Sequence, residues 1–261
     1  MNPPYLLRPR LADDLGHPAL LTGPPRRVVS LVPSITEAIA TTVPESLVGA
    51  TDWCTQPPGL DVTRVRGTRN PDVAAIIALR PELVVANKEE NRRVDVERLR
   101  AAGISVWVTR IASVDEALMG LGRLFSDVLA LGHTPQWLTR ARSVWAEPPA
   151  HRGLRVAVPV WRDPWNWVGS GTYAHDLVTR LGCSNALADL SPRYPRADVR
   201  DVRAVRPDMI LLPDEPYPFS AYDGPDAFVG VPVRHVPGRS LFWYGPAMVE
   251  ARSLLEDVIR S

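Results

Sequence analysis

The chain has 261 residues, with 30 basic and 29 acidic side chains and a formal net charge of +1. At 45% hydrophobic and 23% charged it has the composition of a globular protein with a sizeable core. The charge balance excludes an electrostatic drive toward nucleic acid or an anionic membrane. Two cysteines make no disulfide framework, and no run approaches the roughly 18 apolar residues of a membrane span.

Residues 1–25 carry Asp13, Asp14 and several prolines and form an N-terminal extension. No basic start with a following apolar run is read there, so the expected location is cytoplasmic, or periplasmic or cell-surface if a signal was removed. Arg27–Val32 is a short apolar run, strand-like. Asp72–Leu79 is helical; Pro81 ends it, and Leu83-Val84-Val85 is a buried strand. The polar Asn87–Arg92 loop enters a helix that ends near Ala102, and Gly103–Val108 is a further strand. Ser113–Ala146 repeats Val114, Leu118, Leu121, Leu124, Phe125, Val128 and Leu129 at helical spacing, with Ser113 and Glu116 as a capping box. Gly132–Pro135 is expected to kink or interrupt it.

The order then repeats. Arg155–Val160 matches Arg27–Val32, Val205–Leu211 matches Leu79–Val85, and Gly230–His235 matches Gly103–Val108. Three matches in register imply a duplication. Strands alternating with helices imply parallel sheets covered on both faces. The expected fold is therefore α/β: an N-terminal lobe over 26–112, a connecting backbone helix over 113–146 and a C-terminal lobe over 153–261. Open α/β sheets bind ligands outside the carboxyl ends of their strands, which places the expected site in a cleft between the lobes.

Several segments fall near that site. Trp161, Trp165 and Trp167 follow the first strand of the second lobe, where an aromatic face meets a large planar ligand or covers the sheet edge. Phe242–Pro246 either closes the cleft or packs the lobe. Gly169-Ser170-Gly171-Thr172 precedes a helix, so its amides either receive an anion or form an ordinary capped turn. Asn87–Arg92 and Asp214–Phe219 occupy equivalent strand ends. Cys54 is a soft ligand or a buried thiol. The histidines His17, His133, His151, His175 and His235 show no paired metal spacing. Ser170, His175 and Asp176 make no hydrolase triad, because adjacent helix residues point apart. Lys88 is the only lysine, and the arginines spread along the chain.

Arg27–Glu37, Gly67–Asp72 and Ile77–Val85 resemble class III substrate-binding proteins of ABC importers, helical-backbone receptors for vitamin B12, haem and siderophores. The chain looks most like the B12-binding branch. The resemblance implies two lobes joined by a backbone helix, with aromatic residues gripping the ligand. Trp53, Trp167 and Tyr194 fall near those aromatic positions; a second first-lobe tryptophan is replaced by Thr68 or Arg69. Arg69, Asn70, Trp165, Ser170 and Trp243 complete the expected ligand site, and Trp167→Ala is expected to weaken binding while leaving the fold intact. His175 is a candidate axial ligand to a corrin cobalt or haem iron. Importer-docking members carry a glutamate on each lobe, where this chain has Ala74 and Arg200, with Asp72, Asp198 and Asp201 nearby. The expectation is a non-enzymatic binding protein holding a corrinoid (cobalamin-like) ligand, with no resident cofactor, catalytic residue or metal site, detached from import. The alternatives are the solute-binding subunit of an ABC permease for haem or ferric siderophore, and a protein-interaction module with a vestigial cleft.

Overall fold

Short apolar runs between proline and glycine punctuation dictate the elements of the first unit. The computed structural model describes residues 11–149 and 153–261; the first ten residues of the expected extension and His151 lie outside that range. The described chain divides into two units, one reaching Arg110 together with Met119–Leu138, the other comprising Ile111–Leu118 and Thr139–Ser261. In chain order the first unit carries β1 (Val28–Ser30), α1 (Pro33–Thr42), β2 (Leu47–Ala50), β3 (Thr63–Arg64), the ribbon strands β4 (Arg66–Gly67) and β5 (Asn70–Pro71), α2 (Val73–Ala78), β6 (Leu83–Asn87), α3 (Arg93–Ala101) and β7 (Val106–Thr109). The sheet runs β3-β2-β1-β6-β7 and every neighbouring pair is parallel. All five residues of β6 are buried, as a strand covered on both faces requires. Val29, Val84, Val106 and Val108 form the core with Ile76 of α2 and Val96 and Leu99 of α3.

β7 is an edge strand, and the segment ahead of β1 covers it. Asp14 N–H donates to the Val108 carbonyl (3.1 Å), while Val108 N–H and Arg110 N–H donate to the carboxylates of Asp13 (3.3 Å) and Asp14 (3.0 Å). Asp13 is also paired with Arg100 at 2.7 Å and has no exposed side-chain surface. The strap thereby satisfies strand groups that otherwise invite pairing with another chain.

The connection is helical in two pieces. Ser113 Oγ accepts Glu116 N–H (3.1 Å), and the Glu116 carboxylate accepts Ala112 N–H (2.7 Å), opening α4 (Val114–Arg123). A π-turn over Leu124–Val128 follows, and α5 (Gln136–Ala146) begins only after a break. The helix stops earlier than Gly132, because Ala130 turns left-handed at φ 52°.

The second unit contains β8 (Arg155–Ala157), β9 (Pro159–Trp161), β10 (Asn166–Trp167), α6 (Tyr173–Arg180), β11 (Ser184–Asn185), α7 (Val199–Ala204), β12 (Met209–Pro213), β13 (Val233–Val236), α8 (Gly238–Phe242) and α9 (Met248–Arg260). Its sheet order is β11-β8-β12-β13, all parallel. The single strand expected over Arg155–Val160 is divided. Pro159 has no N–H to continue the ladder, so β9 leaves the sheet and pairs antiparallel with β10. No helix among the described residues is long and apolar enough to cross a membrane.

The duplication holds at the level of individual bonds. Arg27 N–H donates to the Glu82 carboxylate (3.1 Å), and Arg155 N–H donates to that of Asp208 (2.7 Å). The acids' own N–H groups donate back to Arg27 and Arg155 carbonyls at 2.8 and 2.7 Å. The Arg27 guanidinium caps the Leu79 carbonyl (2.6 Å), and that of Arg155 caps Val205 (3.0 Å). Arg80 and Arg206 then both turn left-handed ahead of their prolines, at φ 47° and 52°.

Removing Asp13 leaves Arg100 and several backbone donors unmatched. Asp13→Ala is expected to cost about 3 kcal/mol, read as a shift in urea midpoint, because breaking a buried ion pair strands its partner.

Candidate functional site

In the first unit the strand-end loops are tied together by side chains. Arg64 donates to the carbonyls of Thr51 (3.0 Å), Cys54 (2.8 Å) and Leu60 (3.1 Å), fixing the loop after β2 that carries Trp53. Asp52 N–H donates to the Arg66 carbonyl (2.8 Å), joining this loop to the β4–β5 ribbon. A Cβ on Gly67 in that ribbon would sit 2.3 Å from Asn70 Oδ1 and 3.4 Å from Trp53 Nε1, so the exposed Asn70 side chain would have to turn aside. Asn91 Nδ2 donates to the carbonyls of Thr68 (2.9 Å) and Leu31 (3.2 Å), while its Oδ1 accepts Asn87 N–H (2.8 Å). Arg69 donates to the Glu89 carbonyl at 3.0 Å. Trp53, Arg69 and Asn70 are thus brought together at the carboxyl edge, and the Trp53 indole is 67% exposed. Beneath it Cys54 is fully buried, its sulfur at 3.0 Å from Thr36 Oγ1 and 3.1 Å from Thr51 Oγ1. Burial pushes this thiol up, so it is the inert thiol of the two readings.

In the second unit the β9–β10 ribbon and the loop after β12 carry the aromatics. Trp161 is 44% exposed and meets the Tyr217 ring edge-on, with centroids 5.4 Å apart. Arg162 lies 5.5 Å over the Trp165 ring and is paired with Asp223 and with Asp226 (3.1 Å). The Arg162 guanidinium holds the Asp226 carboxyl below the ordinary range. Tyr217 OH donates to Asp223 at 2.6 Å, closing the clamp. Sequence reasoning missed this clamp, since its partners lie far along the chain; it placed Asn87–Arg92 at a strand end but not the bonds by which Asn91 ties Leu31 and Thr68 together.

Two tryptophan expectations, Trp167 and Trp243, are corrected. Trp167 has no exposed surface. Its Nε1 donates to the Ala197 carbonyl (2.9 Å), and Trp165 (5.6 Å) and Phe228 (5.9 Å) pack on its ring, so it is core rather than a ligand face. Trp165 is half-buried and also stacks with Phe219 at 5.8 Å and 9°. Trp243 is 8% exposed, with Arg239 5.7 Å over its ring, and Tyr244 packs edge-on against Tyr173. The Phe242–Pro246 segment therefore follows the packing alternative. Tyr194 is 38% exposed and Ser170 is exposed.

The Gly169–Thr172 segment is a capped turn. Thr172 Oγ1 accepts His175 N–H (3.2 Å) and donates to the Gly169 carbonyl (2.9 Å). A Cβ on Gly169 would lie 2.7 Å from the Arg193 carbonyl, which explains the glycine. His175 is half-buried with Nδ1 3.3 Å from Asn185 Nδ2. Among the described residues no group of three or more His, Cys, Asp or Glu side chains could hold a metal ion. At the end of β12, burial raises the Glu215 carboxyl, and the Trp243 side chain hydrogen-bonds to it.

No protein-family profile matches the chain. A vitamin B12-binding protein of Vibrio cholerae serotype O1 is 23% identical over 209 residues, covering 74% of this chain and 73% of that protein. The structure of the periplasmic vitamin B12-binding protein of Vibrio cholerae matches with a TM-score of 0.75 at 18% identity, over 91% of this chain and 97% of the other. A periplasmic haem-binding protein in complex with two haems matches with a TM-score of 0.73 at 22% identity, over 89% and 97%. The fold is that of class III periplasmic binding proteins, and the resemblance to the vitamin B12-binding branch extends over most of the chain.

Trp167→Ala opens a core cavity and is expected to cost about 3–5 kcal/mol, whereas exposed Trp53→Ala costs under about 0.5 kcal/mol in the same urea unfolding measurement. Glu215, whose folded-state pKa is raised, favours the fold most when protonated. Its contribution is therefore lost as pH rises from the ordinary glutamate range, about 4.3, through the raised value. Glu215→Gln should gain thermal stability over the parent progressively as pH rises above about 4.3.

Proposed function

We propose that the protein binds a corrinoid, without covalent chemistry, at the carboxyl edges of its parallel sheets. The observation that carries this reading is the Trp53 indole, two-thirds exposed at that edge and framed by Arg69 and Asn70 on a loop that Arg64 and Asn91 hold rigid. A flat apolar face beside polar donors suits a large ring with polar substituents. Trp161 and Tyr194 supply comparable faces on the second unit, replacing Trp167 in that role. Relatives named for vitamin B12 binding support the ligand class. A ring that brings its own metal also agrees with a site built from indoles and amides.

The resemblance implies docking positions for an importer permease at Ala74 and Arg200. Both are the second residue of a short helix, α2 and α7, and both are exposed. Asp72 is engaged, accepting Ala75 N–H at 3.0 Å and facing Arg66 at 3.6 Å. Neither docking position is acidic, which supports a binding protein detached from import.

Titration of the protein with cobalamin, cobinamide and haemin, followed by tryptophan fluorescence, tests the reading. Saturable micromolar quenching by a corrinoid is expected, with affinity about tenfold weaker in Trp53→Ala. Saturation by haemin alone would replace the corrinoid by a porphyrin, and no saturation by any of the three would remove the reading.

A further inference from the structure

The first turn of the ten-residue α1 leaves polar groups buried without a bond. Val32 stands at its N-cap and supplies no side-chain bond, and Pro33 in the first position has no N–H. The helix's own bonds begin at Thr36, whose N–H (2.8 Å) and Oγ1 (2.9 Å) both donate to the Val32 carbonyl. The N–H groups of Ser34 and Ile35 precede them. Ser34 is 3% exposed, and among the described residues its Oγ has no hydrogen-bond partner. The other hydroxyls of α1 bond back along the helix: Thr41 and Thr42 donate to the carbonyls of Glu37 and Ala38, both at 2.7 Å. A buried hydroxyl left unbonded destabilises the fold, and it calls for a partner that the chain itself does not supply.

This turn belongs to the carboxyl edge of the first unit. Thr36 Oγ1 lies 3.0 Å from the sulfur of Cys54, the residue after Trp53. Asn91 Nδ2 bonds the carbonyls of Leu31 and Thr68, joining the approach to α1 with the ribbon that carries Arg69 and Asn70. Pro33 and Thr68 are both half-buried, so turn and ribbon reach solvent there. Two other helices close the same position with a side chain: Asp72 accepts Ala75 N–H at α2, and Thr172 accepts His175 N–H at α6. α1 instead keeps its donors open beside an exposed indole.

Glu37 decides which acceptor suits those donors. It is 6% exposed and three residues on from Ser34, which puts it on the same side of α1. A carboxylate entering the turn meets this buried carboxyl with like charge. A carboxamide does not, and its carbonyl oxygen has two lone pairs for the Ser34 hydroxyl and the open N–H groups. We propose that the first turn of α1, through Ser34 Oγ and the N–H groups of Ser34 and Ile35, holds the carbonyl of a carboxamide on the rim of the ligand ring, and that Glu37 turns away rings bearing carboxylates there. This rests on the corrinoid reading above and adds to it a selection among the ring's substituents.

The test uses the full chain and two ligands, followed by tryptophan fluorescence: cobinamide, whose rim substituents are amides, and cobyrinic acid, whose rim substituents are carboxylic acids. Cobinamide is expected to bind at least about tenfold more tightly, and Glu37→Gln to narrow that preference. Ser34→Ala should weaken cobinamide binding by about three- to tenfold, as the loss of one hydrogen bond does. The same variant should melt no lower than the parent, because no bond within the fold is lost. Unchanged cobinamide affinity in Ser34→Ala, or a lower melting temperature, would overturn the proposal and leave the corrinoid reading standing. Equal affinity of the parent for the two ligands would overturn it as well. A parent that binds no cobinamide would remove the corrinoid reading itself, and the proposal with it.

Discussion

A carboxylate placed one residue after the Arg-Pro turn holds the first strand of each unit in register. Glu82 and Asp208 accept the N–H of Arg27 and Arg155, and the same arginines cap the carbonyls ending α2 and α7. Each bond spans about fifty residues of chain and closes the β-α-β loop that a parallel pair requires. With β1 fixed against β6, and β8 against β12, all parallel strands end on the same side of their sheet. The loops that carry Trp53, Asn91, Trp161 and Glu215 then emerge where open α/β sheets bind ligands. Register at one end of the sheet thus decides what is assembled at the other.

The two units use that edge differently. The first builds a polar lattice, in which Arg64, Asn87 and Asn91 bind backbone carbonyls and amides and leave one indole in solvent. Buried amide side chains of this kind are committed to backbone partners and, for Asn87, to the Thr109 hydroxyl, so they hold loops rather than ligands. The second builds an aromatic layer: Trp165, Trp167, Phe219 and Phe228 pack together, with the Arg162 clamp over them. Exposed aromatic surface on the second unit lies outside this layer, at Trp161, Tyr194 and Tyr222. A rigid aromatic platform costs little conformational entropy when a ligand settles on it.

The duplication, the α/β class and the strand ends were legible because they rest on local signals: Pro81 and Pro207 after helical stretches, and apolar runs following them. The capping residue Ser113 was legible for the same reason. Burial of individual tryptophans was not. Trp161, Trp165 and Trp167 read alike in sequence, but Phe219 and Phe228, some fifty residues on, enclose Trp167 and leave Trp161 out. The split of the Arg155–Val160 strand was signalled by Pro159 and overlooked. The ion pairs of Asp13 with Arg100 and of Arg162 with Asp223 depend on tertiary approach alone.

The central claim is that ligand is held at the strand-end loops, with Trp53 in contact. Hydrogen–deuterium exchange with and without saturating cobinamide tests it most directly, because exchange reports each loop separately. The account predicts slowed exchange in 51–55, 66–71 and 87–91, and none at the strap on β7. Protection confined to the strap or to α9, with those loops unchanged, would contradict it.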